Sequence, residues 1–575
     1  MEMKRWASER RETPLGLDVE TTGLDRQRDR LRLIQLGDLR HGWAVPDIWA
    51  GAAIEIIKDY QGDFVGHNFF SFDHRFIEKD TGYSIPYHKI HDTLFLAALT
   101  DPTRPKALKS LSARLIDRNA TAGESLLKEG MKQNGWTWAT VPANYAPWWA
   151  YGALDPCLSV HLFQLFYQNI ADTAPEAYDL ERAVAPILAG MMNAGMLIDK
   201  VYVEENLKKI RESGAQMRAW LKEYHSVDSL MSARQIYTAL QVQGVEVSGR
   251  TSSGLPSITK EVLDAIAVSE ESPEGARALV KTILRARHGE KLAGTYLSSF
   301  LEMAGLDGAI HPSIMQLQAR TGRSSCTSPN LQNLPRDDKV CRGSFIPHPG
   351  YVFITTDASQ IELRIAASVC GDEGLITAIR EADENGTDIY AGIATMLFGT
   401  SINKKDPRRQ ATKSSAYTKI YGGGVKKIAL TIGLPFADAK RMNDMFDTRF
   451  PKLASYAGEL VATARRQSSQ GITPYTRTDT GRYLPCDDAR SYALLNYKVQ
   501  ATAAEELKRA ITRLASAGLG DMLRLPVHDE VILECPEADA EDVLRLVQDT
   551  VREDHRFAVS IPWSGEIMPV RWSKG

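Results

Sequence analysis

The sequence predicts an α/β domain at the N-terminus, then a long and mostly helical body closed by a β-hairpin and a last helix. Three observations carry this. Two apolar, strand-like runs lie within the first 40 residues, helical periodicity fills most of 88–310 and 370–470, and short stranded runs fall near residues 351 and 523. The opening strands are Leu15-Gly16-Leu17-Asp18-Val19-Glu20 and Leu31-Arg32-Leu33-Ile34-Gln35-Leu36, expected to be neighbours. Helical patterning follows in Thr93–Leu99 and Leu108–Leu111. Residues 175–310 read as mostly helix, with polar breaks at Ser248–Ser257 and Ser269–Glu274. Within them, Ala183–Ile198 is the longest apolar stretch, too short for a membrane span and interrupted by Pro186 and Asn193, so a buried helix is expected.

Residues 311–336, rich in Ser, Thr, Asn, Gln and Pro, read as irregular or weakly stranded. Tyr351–Ile354 is a strand candidate, 370–470 is helical, and Leu523–Cys535 is a hairpin with His528-Asp529 at its turn. The final helix places Ala540, Val543, Leu544, Val547 and Val551 on one face.

Composition is that of an ordinary globular chain, 43% hydrophobic and 25% charged, long enough for several domains. A formal net charge of −3 argues against a polybasic binder but leaves room for a local cationic cleft. The six cysteines show no CxxC spacing, which fits a reduced, cytoplasmic protein without disulfides. The charged start, MEMKRWASERRE, carries no secretory signal.

Asp18 and Glu20, two apart on a strand, face one side, where two carboxylates repel unless a cation such as Mg²⁺ or Mn²⁺ lies between them. Taken alone, such a pair reads more readily as an exposed strand edge. Asp73 sits among aromatics in Gly66–Asp73, and Tyr151 and Asp155 share a helix face. In order and spacing, D-x-E, N-x₄-D and Y-x₃-D resemble the three motifs of the DEDD exonuclease superfamily, in its tyrosine-bearing subclass. The resemblance covers roughly residues 10–170. It implies an RNase H-like domain, a mixed sheet with helices, in which Asp18, Glu20, Asp73 and Asp155 hold two Mg²⁺ for phosphodiester hydrolysis. It also implies that Tyr151 orients the attacking water; taken alone, Tyr151 reads equally well as a half-buried helix tyrosine. Asn68, at the long end of the motif spacing, is left without a defined role.

A second group of residues begins with Asp357, delivered to the end of an apolar strand in YVFITTDASQIELR, and includes Asp529 in LPVHDE. Each alone is commonplace, Asp being a frequent turn residue. Between them, Arg409, Lys413, Tyr417 and Tyr421 recur every four residues, a stripe of two cations and two aromatics. That stripe makes a poor core and suits a triphosphate with a stacked base or sugar, although a solvated basic helix is an alternative.

Together, D-x-S-Q-I-E-L-R, R-x₃-K-x₇-Y-G and V-H-D-E resemble motifs A, B and C of family A DNA polymerases, the DNA polymerase I and Klenow fragment family. Thr321–Ser325, Ser328–Pro335 and Asn496–Ala504 extend the match over nearly the whole chain. The resemblance implies an α+β right-hand polymerase of palm, fingers and thumb. Its parts fall at 1–175 (exonuclease), 176–310 (thumb), 311–370 (palm, motif A), 371–490 (fingers, motif B) and 491–575 (palm, motif C).

By resemblance, Asp357 and Asp529 bind two Mg²⁺, with Mn²⁺ able to substitute. Arg409 and Lys413 grip the incoming triphosphate, and Lys413 is the proton donor to pyrophosphate. Tyr421 closes over the nascent pair, Glu362 excludes a ribose 2′-hydroxyl, and Gln360, Tyr417 and His528 complete the nucleotide site. Arg323, Asn330, Gln332, Asn333, Asn496 and Gln500 contact DNA, and His528 also lies by the primer terminus. Glu530 sits beside the metals with no fixed task. A tyrosine at 417 implies efficient dideoxynucleotide incorporation.

The expected activity is template-directed DNA synthesis with 3′→5′ proofreading, in replication or repair. The expected partners are primer–template DNA and dNTPs, with a helicase and a single-strand-binding protein as candidates. The chain is expected to be monomeric, off the membrane, and cytoplasmic (host cytoplasm if phage-encoded). No 5′-nuclease domain is expected before Asp18. The rival readings are an RNase D-type nuclease with an inert C-terminal lobe and a non-enzymatic replication accessory. The −3 charge averages a +7 segment at 404–427 with a −5 segment at 536–555, so salt-sensitive DNA binding is expected.

Overall fold

Strand β1 (Leu15–Thr21) lies between two neighbours, so its acids stand on an interior strand. It pairs antiparallel with β2 (Leu31–Gly37), Asp18 opposite Gln35 and Glu20 opposite Leu33. On its other side it runs parallel to β4 (Phe64–Gly66). With β3 (Gly42–Pro46) and β5 (Ile90–Asp92) the mixed sheet has the order β3-β2-β1-β4-β5. Asp18 and Glu20 therefore stand on the central strand, and the exposed-edge alternative is wrong. Helix 146–173 packs across this sheet so closely that a Cβ on Gly16 would overlap the Pro156 carbonyl, and one on Gly42 that of Ala153. Both glycines are there for close approach.

The computed structural model describes the whole chain except residues 1, 11, 248, 252, 253, 336, 337, 433, 574 and 575 and the side chain at 432. The chain forms two compact units. The first comprises Met1–Ala194, Ser313–Thr327 and Ile354–Ile567, and the second Gly195–Pro312, Ser328–Phe353 and Met568–Gly575.

Within the first unit, the expected strands, helices and hairpin form. One departure is Ile90–Asp92, a three-residue strand inside the stretch read as helical. Ala183–Ile198 is a buried helix as far as Ala194, where Gly195 at φ +66° turns the chain. A four-stranded sheet is ordered 523–527, 530–536, 351–358, 563–568. The 370–470 stretch is helical, and Asp372, Asp388 and Asp406 cap helices 373–384, 389–398 and 407–420 by accepting from N–H groups of the first turn. Helix 540–551 buries Ala540, Val543, Val547 and Val551.

In the second unit, helices 200–225, 233–242, 260–268 and 274–291 surround a core that includes Leu221, Ile236, Leu263 and Ile283. Both predicted polar breaks separate helices, although Ser248, Ser252 and Ser253 lie outside the described residues. Among the described residues, no helix is long and apolar enough to cross a membrane.

Candidate active sites

The first site assembles where β1 meets helix 146–173. Carboxylate oxygens of Asp18, Glu20 and Asp155 all lie within 4.8 Å of one another. Asp73 opens helix 73–81, is buried, and accepts the Val19 N–H at 2.9 Å, which sets its carboxyl beside that of Asp18. Burial first, and then the neighbouring negative charges, push Asp18, Glu20 and Asp73 well above the ordinary carboxylate range. Burial also raises Asp155, opposed by Lys109. Crowded, desolvated carboxylates of this kind fit a hard divalent cation, whose charge removes the repulsion that raises them.

Two residues missed in the sequence complete this site. Lys109, on helix 108–115, pairs with Asp155 and stands 4.6 Å over the Tyr151 ring. Asp92 accepts the N–H groups of Asn68 at 2.9 Å and Phe69 at 2.8 Å, so it holds the loop leading to Asp73. Asn68 itself is held at φ +61°. Tyr151 is half-buried on the helix face it shares with Asp155.

The second site lies at one end of the four-stranded sheet. Asp357 is the next-to-last residue of strand 351–358, and the Ala358 N–H donates to the Asp529 carbonyl at 3.0 Å. Motifs A and C therefore meet on adjacent strands. Val527 pairs with Glu530 across a two-residue turn in which His528 takes φ +55°. Gln360 is also left-handed, at φ +47°, where strand 351–358 passes into helix 361–370. Non-glycine residues in this region cost energy and cluster where geometry serves function. Glu530 is buried at the start of the next strand.

Glu362 is buried between two partners: Arg323 donates to Oε1 at 2.9 Å and the Tyr421 hydroxyl to Oε2 at 2.7 Å. The stripe forms on helix 407–420, with Tyr421 just past its end and its ring 5.9 Å from that of Tyr417. Burial raises the Tyr417 phenol against a lowering hydrogen bond with Tyr390, and the charges of Glu362, Asp529 and Asp357 add to the rise. Lys413 stands 5.9 Å over the Tyr417 ring and 5.7 Å over that of Tyr390. Tyr390, missed in the sequence, is buried and also lies under Arg409, at 5.7 Å. Asn496 and Gln500 share a face of helix 494–514, half-buried. Asn330, Gln332 and Asn333 lie in the second unit, where Asn330 caps the turn 331–333.

Three close acids on a mixed sheet, together with motif A and motif C strands joined at one end of a second sheet, fit a nucleotidyl-transfer enzyme with a nuclease domain. The model for DNA polymerase family A matches residues 200–571, and the model for a 3′–5′ exonuclease matches residues 1–171. The chain belongs to DNA polymerase family A and carries a 3′–5′ exonuclease domain. It is 27% identical to the DNA polymerase of Mycobacterium phage D29, over 92% of this chain and 88% of that protein. It is 30% identical to DNA polymerase I of Chloroflexus aurantiacus, over 81% of this chain and 50% of that protein. Its fold matches the POL domain of Pol1 from M. smegmatis, solved in complex with DNA primer-template and dNTP. That match has a TM-score of 0.81 at 22% identity, covering 99% of this chain and 98% of the other.

Proposed function

We propose that the chain extends a primer on a DNA template at the Asp357–Asp529 site and trims mispaired 3′ ends at the Asp18–Glu20–Asp155 site. The observation that carries this reading is the junction of the motif A and motif C strands at the Ala358–Asp529 hydrogen bond. Two divalent ions at each site, Mg²⁺ with Mn²⁺ as a substitute, fit Asp357 with Asp529 and Asp18, Glu20 and Asp155 with Asp73; when bound they supply Lewis acidity and neutralise phosphate charge.

The chain's own residues do the remaining work. Arg409 and Lys413 bind the triphosphate, and Lys413 Nζ gives a proton to the departing pyrophosphate. Glu362, fixed from two sides, backs the sugar and leaves no room for a 2′-hydroxyl. Tyr421 covers the nascent pair, while Gln360, Tyr417 and His528 line the nucleotide. Arg323, Asn496 and Gln500, with Asn330, Gln332 and Asn333, hold DNA. At the other site the Tyr151 hydroxyl orients water against the scissile phosphate.

In this reading, 176–310 forms the thumb, 371–490 the fingers, and 311–370 with 491–575 the palm. Primer–template DNA and dNTPs are the ligands. A cytoplasmic monomer working with a helicase and a single-strand-binding protein fits this role.

A primer-extension gel tests the proposal. With dNTPs and Mg²⁺ the primer lengthens; without dNTPs it shortens from its 3′ end. Asp529→Ala should abolish only the first activity and Asp18→Ala only the second. An Asp529→Ala enzyme that still extends would exclude this site, and loss of both activities in either variant would exclude two independent sites.

A further inference from the structure

Behind the nucleotide site lies a buried ionic cluster that the proposed chemistry does not use. Glu181, Arg482, Glu505 and Lys508 are each 4% exposed or less. Arg482 donates to Glu181 Oε1 at 2.6 Å and to Glu505 Oε1 at 2.8 Å, and Lys508 pairs with the same Glu181 oxygen. Gln316 donates to the other Glu181 oxygen at 2.7 Å, while Thr478 and Thr480 donate to Glu505 at 3.0 and 2.7 Å. With two carboxylates and two cations, the cluster is neutral. A buried network of this completeness is costly to assemble compared with an apolar core, so what it fixes in place matters more than any stability it adds.

What it fixes is the backbone just before Arg323. Lys508 Nζ donates to the Gly322 carbonyl at 2.7 Å. Gly322 takes φ +76°, and a Cβ there would come within 2.7 Å of the Arg482 guanidinium. The next residue, Arg323, pairs with Glu362, whose second oxygen receives the Tyr421 hydroxyl. An unbroken chain of contacts thus runs from Glu181 through Lys508 and Arg482 to Gly322, Arg323, Glu362 and Tyr421.

We propose that Lys508, Arg482 and Glu181 are positioning residues for nucleotide selection, setting Glu362 through the Gly322–Arg323 backbone. This rests on the reading of Glu362 as the residue that faces the sugar. Anchoring one end of a carboxylate's partner narrows the positions that carboxylate can take, and a sugar gate discriminates only as sharply as its carboxylate is placed.

The test measures ribonucleotide against deoxynucleotide incorporation, the KM for a correct dNTP, the exonuclease rate and thermal melting. Lys508→Met combined with Glu181→Gln removes one charge of each sign, so the cluster stays neutral and Gly322 loses its donor. Gly322→Ala keeps the carbonyl but crowds the Arg482 guanidinium and strains a left-handed backbone, so it displaces the same segment from the other side. In both, dNTP over rNTP discrimination should fall about tenfold and the dNTP KM should rise, with the exonuclease rate held within about twofold of the parent; melting should stay within a few degrees in the double variant and fall further in Gly322→Ala. Lys508→Arg, which keeps the cation, should retain most of the discrimination.

If the double variant does not fold, Gly322→Ala decides alone. An equal fall for dNTPs and rNTPs, leaving their ratio unchanged, marks a purely structural role and overturns the proposal. Unchanged discrimination in the cluster variants, with Glu362→Ala losing it, overturns the relay and leaves the site reading standing. Unchanged discrimination in Glu362→Ala itself removes that reading and the relay with it.

Discussion

Arg409 and Asp388 form a bidentate pair, Nε to Oδ1 at 2.9 Å and Nη2 to Oδ2 at 2.7 Å. Asp388 also caps helix 389–398 through the Ala391 N–H, so it ties the stripe to a second helix. Burial opposes the charge on Asp388, but the Arg409 hydrogen bonds win and hold its carboxyl below the ordinary range. The pair therefore fixes the guanidinium in advance of the triphosphate it is proposed to bind. Asp388→Asn keeps the cap and loses the two-point grip. The KM for dNTPs should rise about tenfold, roughly 1.4 kcal/mol, with kcat little changed. Steady-state extension with a single dNTP checks this, and an unaltered KM would mean that Arg409 needs no such clamp.

Tyr417 offers a hydroxyl where a phenylalanine would offer none. Its ring is 6.3 Å from that of Tyr390, and its phenol feels the negative charge of Glu362, Asp529 and Asp357. That hydroxyl can replace the 3′-hydroxyl a dideoxynucleotide lacks, so chain terminators should be accepted readily. Tyr417→Phe should restore discrimination against ddNTPs by about a hundredfold, the worth of roughly 3 kcal/mol in a dry site. Competing ddNTP and dNTP in one extension reaction measures the ratio directly; equal discrimination in the two enzymes would rule the idea out.

Where sequence periodicity carries the information, residues alone were enough. Asp18 and Glu20 share a face because strand side chains alternate, and Tyr151 and Asp155 because a helix repeats every four. Strand order is another matter. That β1 is central follows from pairing with β2 and β4 together, and no local pattern shows it. The strand 90–92 was hidden because three residues at the mouth of a helix carry no period of their own. Lys109, Asp388 and Tyr390 were missed for a related reason. Each reaches its partner from another element, 46 residues away for Lys109 and Asp155, 21 for Asp388 and Arg409. The six positive-φ non-glycine residues among those described include Asn68, Gln360 and His528; Asn and His visit that region more than most residues, but too seldom for the sequence to mark the position, and Gln360 gives no sign of it.

Lys109 is a cation placed where the acid cluster of the exonuclease domain needs one. Its side chain is 14% exposed and that of Asp155 7%, so neither is well solvated. Removing one member of such a pair costs about 3–5 kcal/mol when nothing replaces it. In EDTA, Lys109→Met should therefore melt well below the parent. Millimolar Mg²⁺ should narrow that gap, because a divalent ion takes over the neutralisation. Thermal melts of both proteins with and without Mg²⁺ supply the four values. A gap that Mg²⁺ leaves untouched would show that Lys109 acts through packing on Tyr151 rather than through charge.

His91, in strand β5, makes the exonuclease domain sensitive to acid. Burial first, then the nearby Arg182 charge, lower its imidazole from 6.5 to about 4, against the pull of Asp63 at 3.3 Å. Tyr178 meets the other ring nitrogen at 3.1 Å, and the rings of Phe163 and Tyr167 pack at 4.8 and 5.1 Å. The folded state thus holds this histidine neutral, while the unfolded chain protonates it near pH 6.5. Its contribution to stability is complete above pH 6.5 and is lost as pH falls from there through 4. The loss is about 2 kcal/mol at pH 5 and about 3 kcal/mol at pH 4. His91→Phe keeps the ring packing and removes the titration, and Asp63, with 45% of its side chain exposed, can turn to water. The variant should start less stable at pH 8 and lose less between pH 8 and 5. Urea unfolding at several pH values reads both slopes, and parallel slopes would assign the acid sensitivity to other groups.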